Sequence, residues 1–267
     1  MDTLSAVMLG ALQGITEFLP ISSSGHLIIA RDIFGVAFAD NLLFDVFLHL
    51  ATALAVLLYF RADFTYAVRA LIKSRKQDAE DGKNETQKGK TLLLALILGT
   101  IPAALVGFFF EEEVTGVFRT SATVAYALIG GSLLFLVAEL VGRRLSSLSW
   151  GKGFVIGCFQ ALALIPGVSR SGASISGGLL MNLPREEATR FAFLLSFPII
   201  LGAGIREVFA VPFFAEAFTL PFFLGALAAF LTALLSMHFL MRYLKTHSLA
   251  VFVVYRVILA VAILLFL

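Results

Sequence analysis

PGVSRSGAS, residues 166–174, interrupts an apolar stretch that runs from 151 to 183. Proline and glycine break a helix there, and one arginine with three serines leaves nothing apolar to bury. The chain around it is greasy. Of its 267 residues, 59% are hydrophobic and only 14% charged, with a mean hydropathy of +0.95. A soluble domain carries about 25% charged residues, so this composition belongs to a polytopic membrane protein. A net charge of +2 gives no nucleic-acid footprint, and the single Cys158 excludes an intramolecular disulfide framework or a cysteine-rich metal site. The first residues, MDTLSAVML, lack the basic start and cleavage site of a signal peptide, so the mature chain is expected to begin at or near Met1.

A membrane span needs about 20 mostly apolar residues. Six segments qualify: 42–60, 92–110, 122–141, 190–208, 222–241 and 249–267. Two more are apolar but broken, 4–34 at Pro20 through Gly25 and 151–183 at Pro166 through Ser174. Each half of these is too short to cross, as in re-entrant helices. Loop 61–91 carries eight basic residues, and Arg143, Arg144, Lys152, Arg242 and Lys245 fall on the same side. The opposite side holds Glu111, Glu112, Glu113, Arg119 and Glu216. By the positive-inside rule the first set is cytoplasmic and both termini lie outside. The first broken element then enters from the outside and the second from the cytoplasm. Within the basic loop, the mixed-charge stretch 74–90 reads as a flexible linker without chemistry.

The two halves look alike. At an offset of 147, Gly10 meets Gly157, Gln13 meets Gln160, Ser22 meets Ser169, Ser24 meets Ser171, Gly25 meets Gly172 and Phe44 meets Phe191. Val124 to Tyr126 also resembles Val253 to Tyr255. Three spans separate the copies, so the expected architecture is an all-α membrane domain of six transmembrane helices plus two re-entrant broken-helix pairs, arranged as an inverted-topology repeat of 1–141 and 151–267.

In such a repeat the broken elements meet near the midplane, where polar groups are functional candidates. The first supplies Gln13, Glu17, Ser22, Ser23, Ser24 and His26; the second supplies Ser169, Arg170, Ser171 and Ser174. Gln13 and Glu17, four apart, share a helical face. Ser24-Gly25 and Ser171-Gly172 each read as opening a helix, at His26–Phe34 and Ala173–Met181. Helix N-termini favour anions, and an arginine forks onto phosphate oxygens. The set describes a site for phosphate or diphosphate, with a lipid phosphate explaining its place in a membrane protein. Glu17 beside that anion calls for a bridging divalent metal or a role as base.

At these residues, QGITEFLPISSSGH (13–26) and PGVSRSGAS (166–174), the chain resembles the bacterial undecaprenyl-diphosphatase family linked to bacitracin resistance. FDVFLHLATALAVLLYFR and REEATRFAFLLSFPII resemble it too, so the likeness runs through nearly the whole chain. The resemblance implies hydrolysis of undecaprenyl diphosphate to undecaprenyl phosphate on the outer side of the cytoplasmic membrane, recycling the carrier of cell-wall precursors. It also implies a divalent cation, Mg2+ or Ca2+, and a polyprenyl diphosphate substrate among membrane lipids; the charge argues against a nucleic-acid partner, and a homodimer is a candidate assembly. Glu17, Ser23, His26 and Arg170 become the candidate catalytic residues, with Glu17 a candidate metal ligand. Gln13, Ser22, Ser24, Ser169, Ser171 and Ser174 become substrate-binding candidates. Ser23 is the preferred nucleophile, with His26 or Glu17 as its base; His26 or water are the alternatives. Gln13 stands where many members have a glutamate, and Ser174 where threonine is usual.

Other polar residues take structural readings. Glu139 and Arg256 are expected to form an intramembrane pair, His49 and His238 to be packing histidines, and Asp45 to line the cavity. The rival function is a lipid-phosphate flippase or secondary transporter, since inverted repeats are common among transporters. A nucleophile beside a base would be superfluous there.

Orientation is directly testable. With Cys158 replaced, a cysteine placed at Lys76 should resist an impermeant thiol reagent on intact cells and react after permeabilisation. Labelling on intact cells would invert the topology.

Overall fold

The computed structural model describes residues 2–34, 41–72, 80–117, 120–210 and 219–266, and all regular structure in these residues is helical. The first broken element is α1 (Thr3–Phe18) and α2 (Ser23–Phe34). Then follow α3 (Asn41–Tyr59), α4 (Arg61–Ile72), α5 (Glu80–Val117) and α6 (Ser121–Val141). The second broken element is α7 (Trp150–Ala161), a 3-10 turn (Leu162–Leu164) and α8 (Arg170–Leu180). The chain ends with α9 (Arg185–Ala210), α10 (Leu220–Thr246) and α11 (Ala250–Phe266).

Four helical segments among the described residues are long and apolar enough to cross a membrane: Glu85–Phe110, Ser121–Val141, Arg185–Arg206 and Leu220–Thr246. A fifth crossing arises if Leu43–Tyr59 and Arg61–Ile72, bent by 70°, count as one. The protein is therefore a multi-pass membrane protein. The expected six spans are not all reached by this measure, because α11 has only 17 residues. Outward-facing side chains suit lipid: Phe108, Phe109, Leu133, Leu235 and Ile258 are all exposed.

Residues 73–79 lie outside the described ones, but 80–90 are not the loop expected from their charge. They form the first three turns of α5, where Glu, Lys and Gln are good helix formers. Tertiary contact anchors the turn: Tyr66 donates to the Glu85 carbonyl at 2.6 Å, and Gly89 lets α5 lie close to Ala70 of α4. The acidic run 111–113 falls in the last turns of α5, whereas Arg119 and Glu216 lie outside the described residues.

The helices interlock across the two halves. α1 packs chiefly on α10, α7 on α5, and α6 on α11. Two of these contacts are backbone to backbone. A Cβ at Gly10 would fall on the Gly225 carbonyl, and a Cβ at Gly157 on the Gly99 carbonyl. Gly10 and Gly157 are 147 positions apart, the offset read from the sequence. Small residues are the usual means of close helix approach in membranes, where packing drives association. The main core surrounds this frame, with Phe18 edge-on to Phe193 at 5.3 Å and Phe135, Phe191 and Leu179 fully buried.

Glu139 does not pair with Arg256. It takes Arg144 and Arg185 as ion partners and accepts from the Leu249 backbone N–H at 2.9 Å. That one carboxylate ties the end of α6 to the starts of α9 and α11. The error has a simple cause: two isolated charges in apolar spans invite pairing, but α6 carries Glu139 near its end, next to the cations of the following segment.

Glycine substitutions should separate contact from propensity. Gly157→Val, forced against Gly99, should cost at least about 1–3 kcal/mol through overpacking and lower the melting temperature in detergent. Gly130→Ala and Gly202→Ala, with open space at the Cβ, should leave it unchanged or raised.

Candidate functional site

α1 stops at Leu19 because Pro20 follows, and the chain turns within Leu19–Ser22 before α2 begins. In the second element Pro166 and Gly167 (φ 105°) make the equivalent turn. Both helices after the turns start three residues earlier than expected. The caps are the first serines: Ser22 Oγ accepts from Gly25 N–H at 3.4 Å, and Ser169 Oγ from Gly172 N–H at 3.3 Å. Ser23, Ser24, Arg170 and Ser171 thus sit in the first turns. Ser22 and Ser169 both have positive φ, 74° and 79°, a conformation that costs a non-glycine residue about 1–3 kcal/mol. Their hydroxyls pair alike, Ser22 with Ser24 at 3.4 Å and Ser169 with Ser171 at 3.2 Å.

The two turns touch. Gly167 N–H donates to Ser22 Oγ at 3.1 Å, and Ser171 Oγ donates to the Leu19 carbonyl at 3.2 Å. Arg256, fully buried on α11, spans both: it donates to the carbonyls of Pro20 (3.4 Å), Gly167 (2.9 Å) and Leu128 (3.0 Å). Its Nε donates to Ser132 at 3.1 Å, and the guanidinium lies 4.6 Å from the Phe135 ring centre.

Glu17 is the hub. Its buried carboxylate accepts from Ser23 Oγ at 2.6 Å and from Gln13 Nε2 at 2.9 Å, both on Oε2. On Oε1 it accepts from Arg170 Nη1 at 3.3 Å. A carboxylate from α1, a hydroxyl from α2 and a guanidinium from α8 are thereby brought to one point. Among the described residues Arg170 spends one of its five N–H donors, on Glu17, which leaves most of the fork for an anion.

His26 stands apart from that triad. Its Nδ1 donates to the Ser22 carbonyl at 2.7 Å, and its Nε2 is 2.7 Å from the Tyr255 hydroxyl, which therefore donates to it when the ring is neutral. The hydrogen bonds place Glu17, not His26, on Ser23. Ser24 is exposed at the mouth of the turn, and Ser174 is fully buried, donating to Gln160 Oε1 at 3.5 Å. A cavity of about 560 Å³ lies elsewhere, among α4, α5 and α9, lined by Asp63, Lys88, Glu187 and Arg190 but by none of these residues.

Three residues near the site escaped the sequence reading: His49, Tyr255 and Arg256. His49, read as a packing histidine, lies with Nε2 4.0 Å from Glu17 Oε2. Its only local signal was the apolar context FDVFLHL, which says nothing of a carboxylate brought in by another helix. Tyr255 did carry one, its match to Tyr126. Among the described residues no group of three or more His, Cys, Asp and Glu side chains is gathered. Chemically, the set can bind an anion through Arg170 and move a proton from Ser23 to Glu17.

Comparison with known proteins bears on the chain as a whole. The family model described as bacitracin resistance protein BacA matches residues 6–262. An undecaprenyl-diphosphatase of Rubrobacter xylanophilus is 42% identical over 267 residues, covering 97% of this chain and 96% of the relative. Proteins of the same description from Elusimicrobium minutum and Methanobrevibacter smithii are 40% and 36% identical, covering 99% and 96% of this chain and 98% and 94% of their own. The chain belongs to the BacA bacitracin-resistance family.

Proposed function

We propose that this chain is an integral membrane phosphatase that hydrolyses undecaprenyl diphosphate to undecaprenyl phosphate and inorganic phosphate. The observation that carries the chemistry is the Ser23 Oγ–H···Glu17 Oε2 contact of 2.6 Å, with Arg170 on the other carboxylate oxygen. A serine is a weak nucleophile until an adjacent base takes its proton, and Glu17 is in place to do so. Transport needs binding and release, not a hydroxyl held on a carboxylate, so the flippase reading is not favoured.

In this reading the terminal phosphate binds between the N-termini of α2 and α8, with Arg170 holding its oxygens. Ser23 Oγ attacks the terminal phosphorus as its proton passes to Glu17. The bond to the bridging oxygen breaks, and the lipid monophosphate leaves with the electron pair and takes the proton from Glu17. Water then attacks the phosphoseryl ester, giving one proton to Glu17, which returns it to Ser23 as inorganic phosphate departs. His26, with both nitrogens engaged, positions the Ser22 turn rather than attacking. Ser22 and Ser169 serve as caps, Ser171 ties the second turn to the Leu19 carbonyl, Ser24 offers its hydroxyl to the anion, and buried Ser174 supports the second turn.

The residues present fit a divalent cation. Gln13 Oε1 is buried with no hydrogen-bond partner among the described residues, and it belongs to the amide that already touches Glu17. Gln13 and Glu17 would hold the ion, which when bound neutralises charge on the diphosphate beside a carboxylate. By loop charge, the turn carrying Ser23 enters from the outer side of the cytoplasmic membrane, which suits recycling of a cell-wall lipid carrier.

Purified in detergent with a polyprenyl diphosphate and divalent cation, the wild-type chain should release inorganic phosphate. Glu17→Ala and Arg170→Ala should lower kcat by about 100-fold or more, the scale of losing a transition-state charge contact. Ser23→Ala should abolish both turnover and an acid-trapped phosphoserine. Near-normal turnover in Ser23→Ala would transfer the attack to water, and no release by wild type in any cation would sink the phosphatase reading.

A further inference from the structure

We propose that His49 is a third protein ligand of that cation, completing with Glu17 and Gln13 a nitrogen-containing site. The inference rests on the preceding reading only in supposing that an ion acts beside the diphosphate. The geometry comes from three helical positions.

The His49 ring is oriented by its own helix. Its Nδ1 donates to the Asp45 carbonyl one turn earlier, at 2.8 Å, so the neutral ring presents its lone pair at Nε2. A histidine that ligates a metal almost always has its second nitrogen held in this way, often by a backbone carbonyl. That Nε2 is 4.0 Å from Glu17 Oε2, too far for a hydrogen bond. Two donors at about 2.0–2.2 Å from one ion can stand that far apart. The His49 side chain is 31% exposed while that of Glu17 is 3% exposed, so the imidazole borders the open side of the cluster and the carboxylate its floor.

Gln13 supplies the independent observation. The residue is fully buried, its Nε2 donates to Glu17 Oε2 at 2.9 Å, and its Oε1 has no hydrogen-bond partner among the described residues. Reversing the amide would set two oxygens against each other, so this orientation is the one the carboxylate selects. An orphaned buried acceptor costs about 1–3 kcal/mol, and a cation beside Glu17 would remove that cost. Because one donor is a glutamine, the set falls short of three His, Cys, Asp or Glu side chains. Where the resemblance had suggested a lost anionic ligand, an imidazole from α3 stands in.

The donor types bear on the metal. The two oxygens suit Mg2+, Ca2+ or Mn2+, while the imidazole nitrogen adds a donor favoured by Zn2+ or Fe2+, so Mn2+ serves as the paramagnetic probe. Three protein donors leave positions for water or phosphate oxygens, as befits an ion shared with substrate.

The test reads metal directly, without lipid. Full-length chain in detergent, stripped with chelator, is titrated with Mn2+ and followed by electron paramagnetic resonance. Wild type should bind one Mn2+ per chain with nitrogen modulation from imidazole in the pulsed spectrum. His49→Gln, close in size and able to preserve packing, should lose that modulation, and His49→Ala should weaken binding about 10-fold or more. Wild-type affinity and modulation in both variants, or no Mn2+ bound by wild type, overturns the site. The two readings separate cleanly. Stripped wild type that still releases phosphate keeps the phosphatase and removes the ion, whereas Mn2+ bound through His49 without any phosphate release keeps the ion and removes the phosphatase.

Discussion

The arrangement depends on one guanidinium. Among the described residues Arg256 has no carboxylate hydrogen-bond partner; it is held by the carbonyls of Pro20, Gly167 and Leu128, by Ser132 and by the face of Phe135. Pro20 and Gly167 lie in the turns that follow the first half-helices, where backbone carbonyls have no helical ladder to pair with. At low dielectric such carbonyls need donors, and irregular backbone survives at membrane depth only when buried in protein. Arg256 supplies several donors in a planar fork, which a lysine cannot match. By engaging both turns at once it sets their separation, and so the distance between Glu17 on one and Arg170 on the other.

That linkage redraws how the two motifs share the work. Read alone, PGVSRSGAS grips an anion and QGITEFLPISSSGH does the chemistry. In the folded protein the division is less sharp, because Arg170 rests on the carboxylate that receives the Ser23 hydroxyl. In the proposed mechanism anion binding and nucleophile activation are therefore coupled: drawing Arg170 toward a phosphate would change the charge balance at Glu17.

Much of this was legible because the signals are local. Apolar length marks helices, Pro20 and Pro166 mark breaks, and the offset of 147 anticipates the matching strain at Ser22 and Ser169. The helix starts were missed by three residues because any serine of SSS or SRS can cap, and only the turn decides which one does. What stayed hidden is partnership at long range. Glu139 chose Arg144 and Arg185 over Arg256, His49 met Glu17 from another helix, and residues 80–90 became helical against Tyr66 and Ala70. Hydropathy and charge counts hold no record of which helix a side chain will face.

The Gly10–Gly225 contact has a consequence for how the protein is made. α1, bearing Gln13 and Glu17, leaves the ribosome before the other described helices, yet the helix that covers it most extensively is α10, made nine helices later. Until α10 arrives, a half-helix too short to cross and carrying a carboxylate has no lasting berth in hydrocarbon. Biogenesis must therefore hold α1 at the membrane surface or against the insertion machinery while the spans assemble. The cluster of Glu17, Ser23 and Arg170 is closed late, by the second half of the chain completing the first.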